Sequence, residues 1–250
     1  MAISEIFKNP TVKQVIFQIK FPNLFFIESK IGDFQMKIMD DFPESALIFR
    51  QPLFFTDSFK EQNMDELKKD VEPMRKIWQF KGINKYKLNV TCNSLDISSE
   101  FYKTYNNENS KQKFRDIIQK CVDSFLELTN LKTINRIGLR YIDDCPIPAK
   151  KDNDKFLEYY NSVLPFERFN LKDTSLYKCK IETKRDDCFL RYSEYLDYKK
   201  EKPLYLLDFD GFQRNISSSD YLTITDKLHD IISNEYESII KEPVIKIMRK

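Results

Sequence analysis

The residues of this 250-residue chain that could do chemistry are few and sit on a handful of short segments. Asp208 and Asp210 stand two apart in LYLLDFDGF, so in an extended strand both carboxylates leave on the side opposite Leu207 and Phe209. Convergent carboxylate oxygens suit a hard cation such as Mg²⁺, and Asp143, ending the segment INRIGLRYID, is placed to join them. That trio defines one expectation, a divalent-metal-dependent hydrolase. The competing reading is structural, because Asp favours strand ends and Asp210-Gly211 is an ordinary turn or bulge signal. Arg140 leaves its strand opposite Leu139 and Tyr141, and is expected to meet a carboxylate such as Asp208 or Glu182 across a sheet. There it is either a structural ion pair or, through its bidentate fork, an anion clamp. Arg191 and Tyr192 belong to a hairpin rich in Tyr, Lys and Arg. On an exposed sheet such residues stack bases and neutralise phosphates, although Glu182, Asp186, Asp187 and Glu194 dilute the basic character here.

Other chemistry is excluded or left without partners. His229 is the only histidine and lies mid-helix beside Leu228, where a packing role is expected. One histidine rules out a His-rich metal site. There is no G-x-S-x-G elbow, no G-x-G-x-x-G, no G-x-x-x-x-G-K-[ST], and only 4 Gly are present for phosphate-cradling loops. The 5 Cys include no C-x-x-C pair, and Cys92 and Cys121 read as small buried residues. No catalytic residue, cofactor or metal site is therefore assigned. A net charge of +2 speaks against attachment to nucleic acid by bulk electrostatics. The N-terminus has no signal-peptide pattern and no apolar run approaches the roughly 18 residues of a membrane span, so a cytoplasmic protein off the membrane is expected.

The elements that must position these residues follow from periodicity. Alternation over 12–21 predicts a strand, and the face Ile31, Phe34, Ile38, Phe42 predicts a helix over 29–42 ended by Pro43. Strands are expected at 46–49, 76–80, 86–92 and 94–102, with a polar connection over 56–74 and Phe101 inward beside Leu95 and Ile97. A helix over 112–128, capped by Asn109 or Ser110, carries the stripe Phe114, Ile118, Cys121, Val122, Phe125. The order then recurs: a strand at 133–142, a helix at 155–163, strands at 176–184, 188–196 and 204–212, and a long helix from Ser217 to about Ile240, stopped by Pro243.

The predicted fold class is thus α+β: an antiparallel sheet with packed helices, built from two halves, 1–130 and 131–250, each running strand–helix–strands–long helix and forming one compact unit. The same order occurs in the helix-grip halves of the TATA-binding protein, a likeness of fold order that carries no function. Two open sheet edges make a protein partner or self-association expected.

Gly138-Leu139-Arg140-Tyr141-Ile142-Asp143, the later Asp208-Phe209-Asp210 and Leu228-His229, with VKQVIFQIKF at the start, resemble an uncharacterised, sporadically distributed prokaryotic family of about this length. The resemblance spans the whole chain and implies no particular activity or catalytic residue. A patchy distribution implies accessory genes of the mobile-element or defence kind. The reading that follows is a non-catalytic binding or interaction protein, using its sheet face or the grip between sheet and helices. Arg140, Asp208, Asp210, Asp143, Arg191 and Tyr192 are its binding residues, and a nucleic-acid-binding component is the alternative beside the hydrolase.

Overall fold

The computed structural model describes residues 5–50, 75–83, 85–199 and 201–250, so the connection expected over 56–74 lies outside the described residues. Among the described residues nine strands form: β1 (Val12–Lys20), β2 (Glu44–Arg50), β3 (Arg75–Lys81), β4 (Tyr86–Val90), β5 (Ser94–Ser99), β6 (Thr133–Cys145), β7 (Leu176–Arg185), β8 (Cys188–Asp197) and β9 (Leu204–Ser217). The helices are α1 (Ile27–Ile38), α2 (Phe114–Thr129), α3 (Asn153–Tyr159), α4 (Tyr221–Ile239) and α5 (Glu242–Arg249). All nine strands join one antiparallel sheet in the order β2-β3-β4-β5-β1-β6-β9-β8-β7. The α+β class is the one expected. The sheet passes unbroken between the two expected halves through the β1–β6 pair, with β5 to β2 laid outward on one side and β9 to β7 on the other.

Strict alternation makes one sheet face apolar. Val15, Phe17 and Ile19 of β1, Ile137, Leu139 and Tyr141 of β6, and Leu207 and Phe209 of β9 are all buried against the helices. Over the first half, Phe34 of α1 meets Phe80 and Phe125 edge-on at 5.9 and 5.8 Å. Over the second half, α4 lies close on β9 because Gly211 has no side chain. A Cβ there would stand 3.2 Å from Ile232 and 3.4 Å from Leu228.

Several local expectations change. Phe101 falls past the end of β5, where alternation no longer holds it, and is exposed. Cys92 is likewise exposed in the β4–β5 turn, whereas Cys121 is buried. Lys113, without a capping side chain, stands at the N-terminus of α2, while Ser110 accepts from the Gln112 amide within the preceding loop. α3 begins earlier than expected because Asp152 caps it through the Asp154 and Lys155 amides. Pro243 does not merely end α4; it sits in the first turn of α5, where its missing N–H costs nothing. Among the described residues no helix is long and apolar enough to cross a membrane.

Candidate functional site

Cross-strand partners share a face, so register sorts the predicted site residues into two groups. Arg140 pairs with Asp210, Ile142 with Asp208, and Arg191 again with Asp210, which puts Arg140, Arg191, Asp208 and Asp210 together on the polar face. Asp143 pairs with Leu207, and Tyr192 with Phe209, which sends both to the helix-covered face. The metal-binding trio is therefore not assembled, since Asp143 lies on the opposite side of the sheet from the other two carboxylates. Among the described residues no three His, Cys, Asp or Glu side chains gather as a metal ion requires. Nor is Tyr192 a stacking platform: it is buried, and its hydroxyl donates to the fully buried Glu194.

On the polar face the charges are spent on one another. Arg140 grips Asp208 with Nε and Nη2 at 2.7 and 2.6 Å. Asp210 receives Arg136 Nη2 at 2.8 and 3.0 Å and Arg191 Nη1 at 3.2 Å, while Arg191 also holds Glu182 at 2.6 Å. The chain continues through Arg136 to Gln18 at 3.4 Å and from Gln18 to Asp96. Arg136, Arg191 and Arg214 surround the Phe212 ring with guanidinium carbons 4.8, 5.3 and 5.3 Å from its centre. The GLRYID segment has a role in this arrangement. Arg136 reaches Asp210 by lying over Gly138, where an added Cβ would stand 2.6 Å from Arg136 Nη1. The glycine is thus a slot for a guanidinium.

The helix-covered face holds the more distinctive site, a cleft of about 280 Å³ lined by Thr11, Tyr102, Tyr105, Tyr141, Asp143, His229 and Tyr236 among others. Every element contributes by simple periodicity. Tyr141 and Asp143 are alternate residues of β6, and His229, Ile232, Ser233 and Tyr236 fall at helical spacing on the side of α4 that meets them. Thr11 enters from just before β1, and Tyr102 and Tyr105 from the segment after β5.

Two hydrogen-bonded chains organise the lining. Thr11 Oγ1 donates to Asp143 at 2.8 Å and meets the Tyr236 hydroxyl at 2.5 Å. The Tyr141 hydroxyl lies 3.1 Å from His229 Nδ1 and 3.3 Å from the Tyr102 hydroxyl. Tyr105 stacks on the His229 ring at 4.1 Å and is fixed by donating to Asp226 at 2.6 Å. Asp226 is in turn held by Arg115 of α2 at 2.8 and 2.9 Å. Burial dominates the electrostatics. It pushes Asp143 up to about 7, against the hydrogen bond from Thr11, and it pulls His229 down to about 4. Tyr141 and Tyr236 are raised by the same cause and stay neutral. At neutral pH the cleft thus presents an uncharged imidazole and a carboxyl balanced between its two forms.

Sequence reasoning placed Asp143 with the wrong partners; the packing role expected of His229 agrees with its ring stacked on Tyr105, while its contact with the Tyr141 hydroxyl was not foreseen. The overlooked signals were the Tyr141-x-Asp143 alternation and the polar residues His229, Ser233 and Tyr236 repeating along an otherwise apolar helix face. No known protein-family profile matches the chain, and no curated protein is significantly similar to it.

Proposed function

We propose that the protein is a non-catalytic binding protein whose ligand is a small molecule held in the grip between the sheet and α4. One observation carries this reading: a cleft whose aromatic walls surround two separate hydrogen-bonded polar groups, at Asp143 and at His229. That combination, apolar lining with a few fixed polar groups, is the general form of small-ligand sites, and about 280 Å³ suits a compact ligand. The polar sheet face supports a nucleic-acid interface less well. Arg136, Arg140 and Arg191 already hold carboxylates, and Phe212 is only 1% exposed beneath its arginines. The resemblance to a sporadic prokaryotic family supports placing the protein in an accessory system, and the exposed Leu47 and Phe49 of edge strand β2 support self-association.

The test is a fragment screen read by thermal shift and native mass spectrometry, repeated on Ser233→Phe, which fills the cleft from α4. Fragments that stabilise the wild type and lose their effect in the variant support the reading. Fragments that bind both proteins equally, or none at all, overturn it.

A further inference from the structure

We propose that the cleft selects a compact protonated amine, primary or secondary, with its ammonium group on Asp143 and its apolar body against the tyrosine rings. This inference rests on the ligand-site reading above and names its ligand class. Asp143 is 2% exposed and lines the cleft. Among the described residues one side chain, that of Thr11, donates to it, and no lysine or arginine pairs with it. Other carboxylates have fuller sets of donors: Asp208 and Asp226 each receive a bidentate arginine, Asp210 receives two arginines, and the fully buried Glu194, also without a cation among the described residues, receives the Ser162 and Tyr192 hydroxyls and the Val163 amide. A carboxylate taken out of water without a cation is costly, and the missing charge is what a ligand would supply.

The walls favour the same occupant. The rings of Tyr102, Tyr105, Tyr141 and Tyr236 line the cleft and attract a cation, while the one other carboxylate of the described lining, Glu5, is already paired with Arg249. An anionic ligand would meet Asp143 and the tyrosine rings together. A neutral ligand would leave Asp143 uncompensated. An N–H donor is required to satisfy the carboxylate oxygen, so a quaternary ammonium fits less well than a primary or secondary amine.

Several groups face Asp143 and bear on its charge. They are Tyr141 and Cys145 on its own strand, Thr11 before β1, and Tyr236 and His229 on α4. Tyr102 and Tyr105 come from the segment after β5, Glu5 and Lys103 also line the cleft, and Asp208 acts from across the sheet. His229 remains neutral down to about pH 5, so the Asp143 carboxyl is the pocket group expected to set the pH response above that.

The experiment is calorimetric titration of the full chain with three matched probes: 2-phenylethylamine, 2-phenylethanol and phenylacetate. The amine is expected to bind about tenfold tighter than the alcohol at pH 8, and the acid weakest of all. Between pH 8 and pH 5.5 the amine stays charged while Asp143 takes up a proton, so amine affinity should fall about tenfold and alcohol affinity should hold. Asp143→Asn should bring the amine down to the alcohol's level; the wild-type pH series decides the matter should that variant fold poorly. An alcohol or acid that binds as well as the amine, or an amine preference that is independent of pH, overturns the inference. If the probes bind without discrimination and Ser233→Phe blocks them, the ligand-site reading survives alone. If no probe binds, both fall.

Discussion

Replacing Asp143 by Asn should make the protein more stable above neutrality, and the size of the gain follows from the burial of this one group. Its carboxyl has a folded pKa of about 7 against an ordinary value of 3.8. The folded chain therefore holds a proton that the unfolded chain releases between those two values. Stability tied to this group is complete below 3.8, declines as the pH rises, and is lost once the pH passes about 7. Roughly 3 pH units at about 1.4 kcal/mol each give a penalty of up to about 4 kcal/mol above pH 7. Asparagine keeps an oxygen for the Thr11 hydroxyl and carries no charge, so it escapes that penalty.

Urea denaturation of wild type and Asp143→Asn from pH 4 to pH 8 measures the difference directly, because all other titrating groups cancel. The two proteins should be near equal at pH 4. The variant should then gain about 1.4 kcal/mol per pH unit up to pH 7 and level off. A difference that stays flat, or that favours the wild type at pH 8, would show that the carboxylate is stabilised by its surroundings and refute the reasoning.

Three further outcomes test the surrounding structure. Gly138→Ala should cost about 1–3 kcal/mol in chemical denaturation by pushing Arg136 off Asp210, and much less in an Arg136→Ala background; simple additivity would argue against the slot. Asp210→Ala strands Arg136 and takes one of two carboxylates from Arg191, whereas Asp208→Ala affects Arg140 alone, so the former should be the more destabilising in the same assay, with equal losses counting against a shared network. The His229 imidazole should show no NMR titration between pH 8 and pH 5. The stability tied to its neutral form is complete above 6.5 and lost as the pH falls from there through about 4, and an inflection near 6.5 would mean the ring is open to water.

Alternation and helical periodicity made most of the fold legible. The strand carrying Val15, Phe17 and Ile19 and the helix carrying Ile118, Val122 and Phe125 are where their spacing puts them. Arg140 was expected to meet a carboxylate such as Asp208 or Glu182; it meets Asp208, and Glu182 goes to Arg191. Alternation already put Asp143 in phase with Tyr141 and opposite Arg140, a signal that was passed over; what periodicity could not supply is which distant strands pair and in what register. The register, with Asp208 opposite Ile142 and Asp210 opposite Arg140, joins those two carboxylates to the Arg140 face and leaves Asp143 on the other. The same limit hid His229, whose partners Tyr105 and Tyr141 are 124 and 88 residues away and meet it only after the sheet and α4 close. The role of Gly138 was also invisible, because it depends on where the Arg136 side chain travels.

Crystals soaked with single-ring amine and alcohol fragments would locate the ligand site most directly. The prediction is ordered density between Tyr102, Tyr141, His229 and Tyr236, with an amine nitrogen within hydrogen-bond reach of Asp143. Density confined to the polar sheet face around Phe212 and Arg214, with the cleft empty, would contradict it.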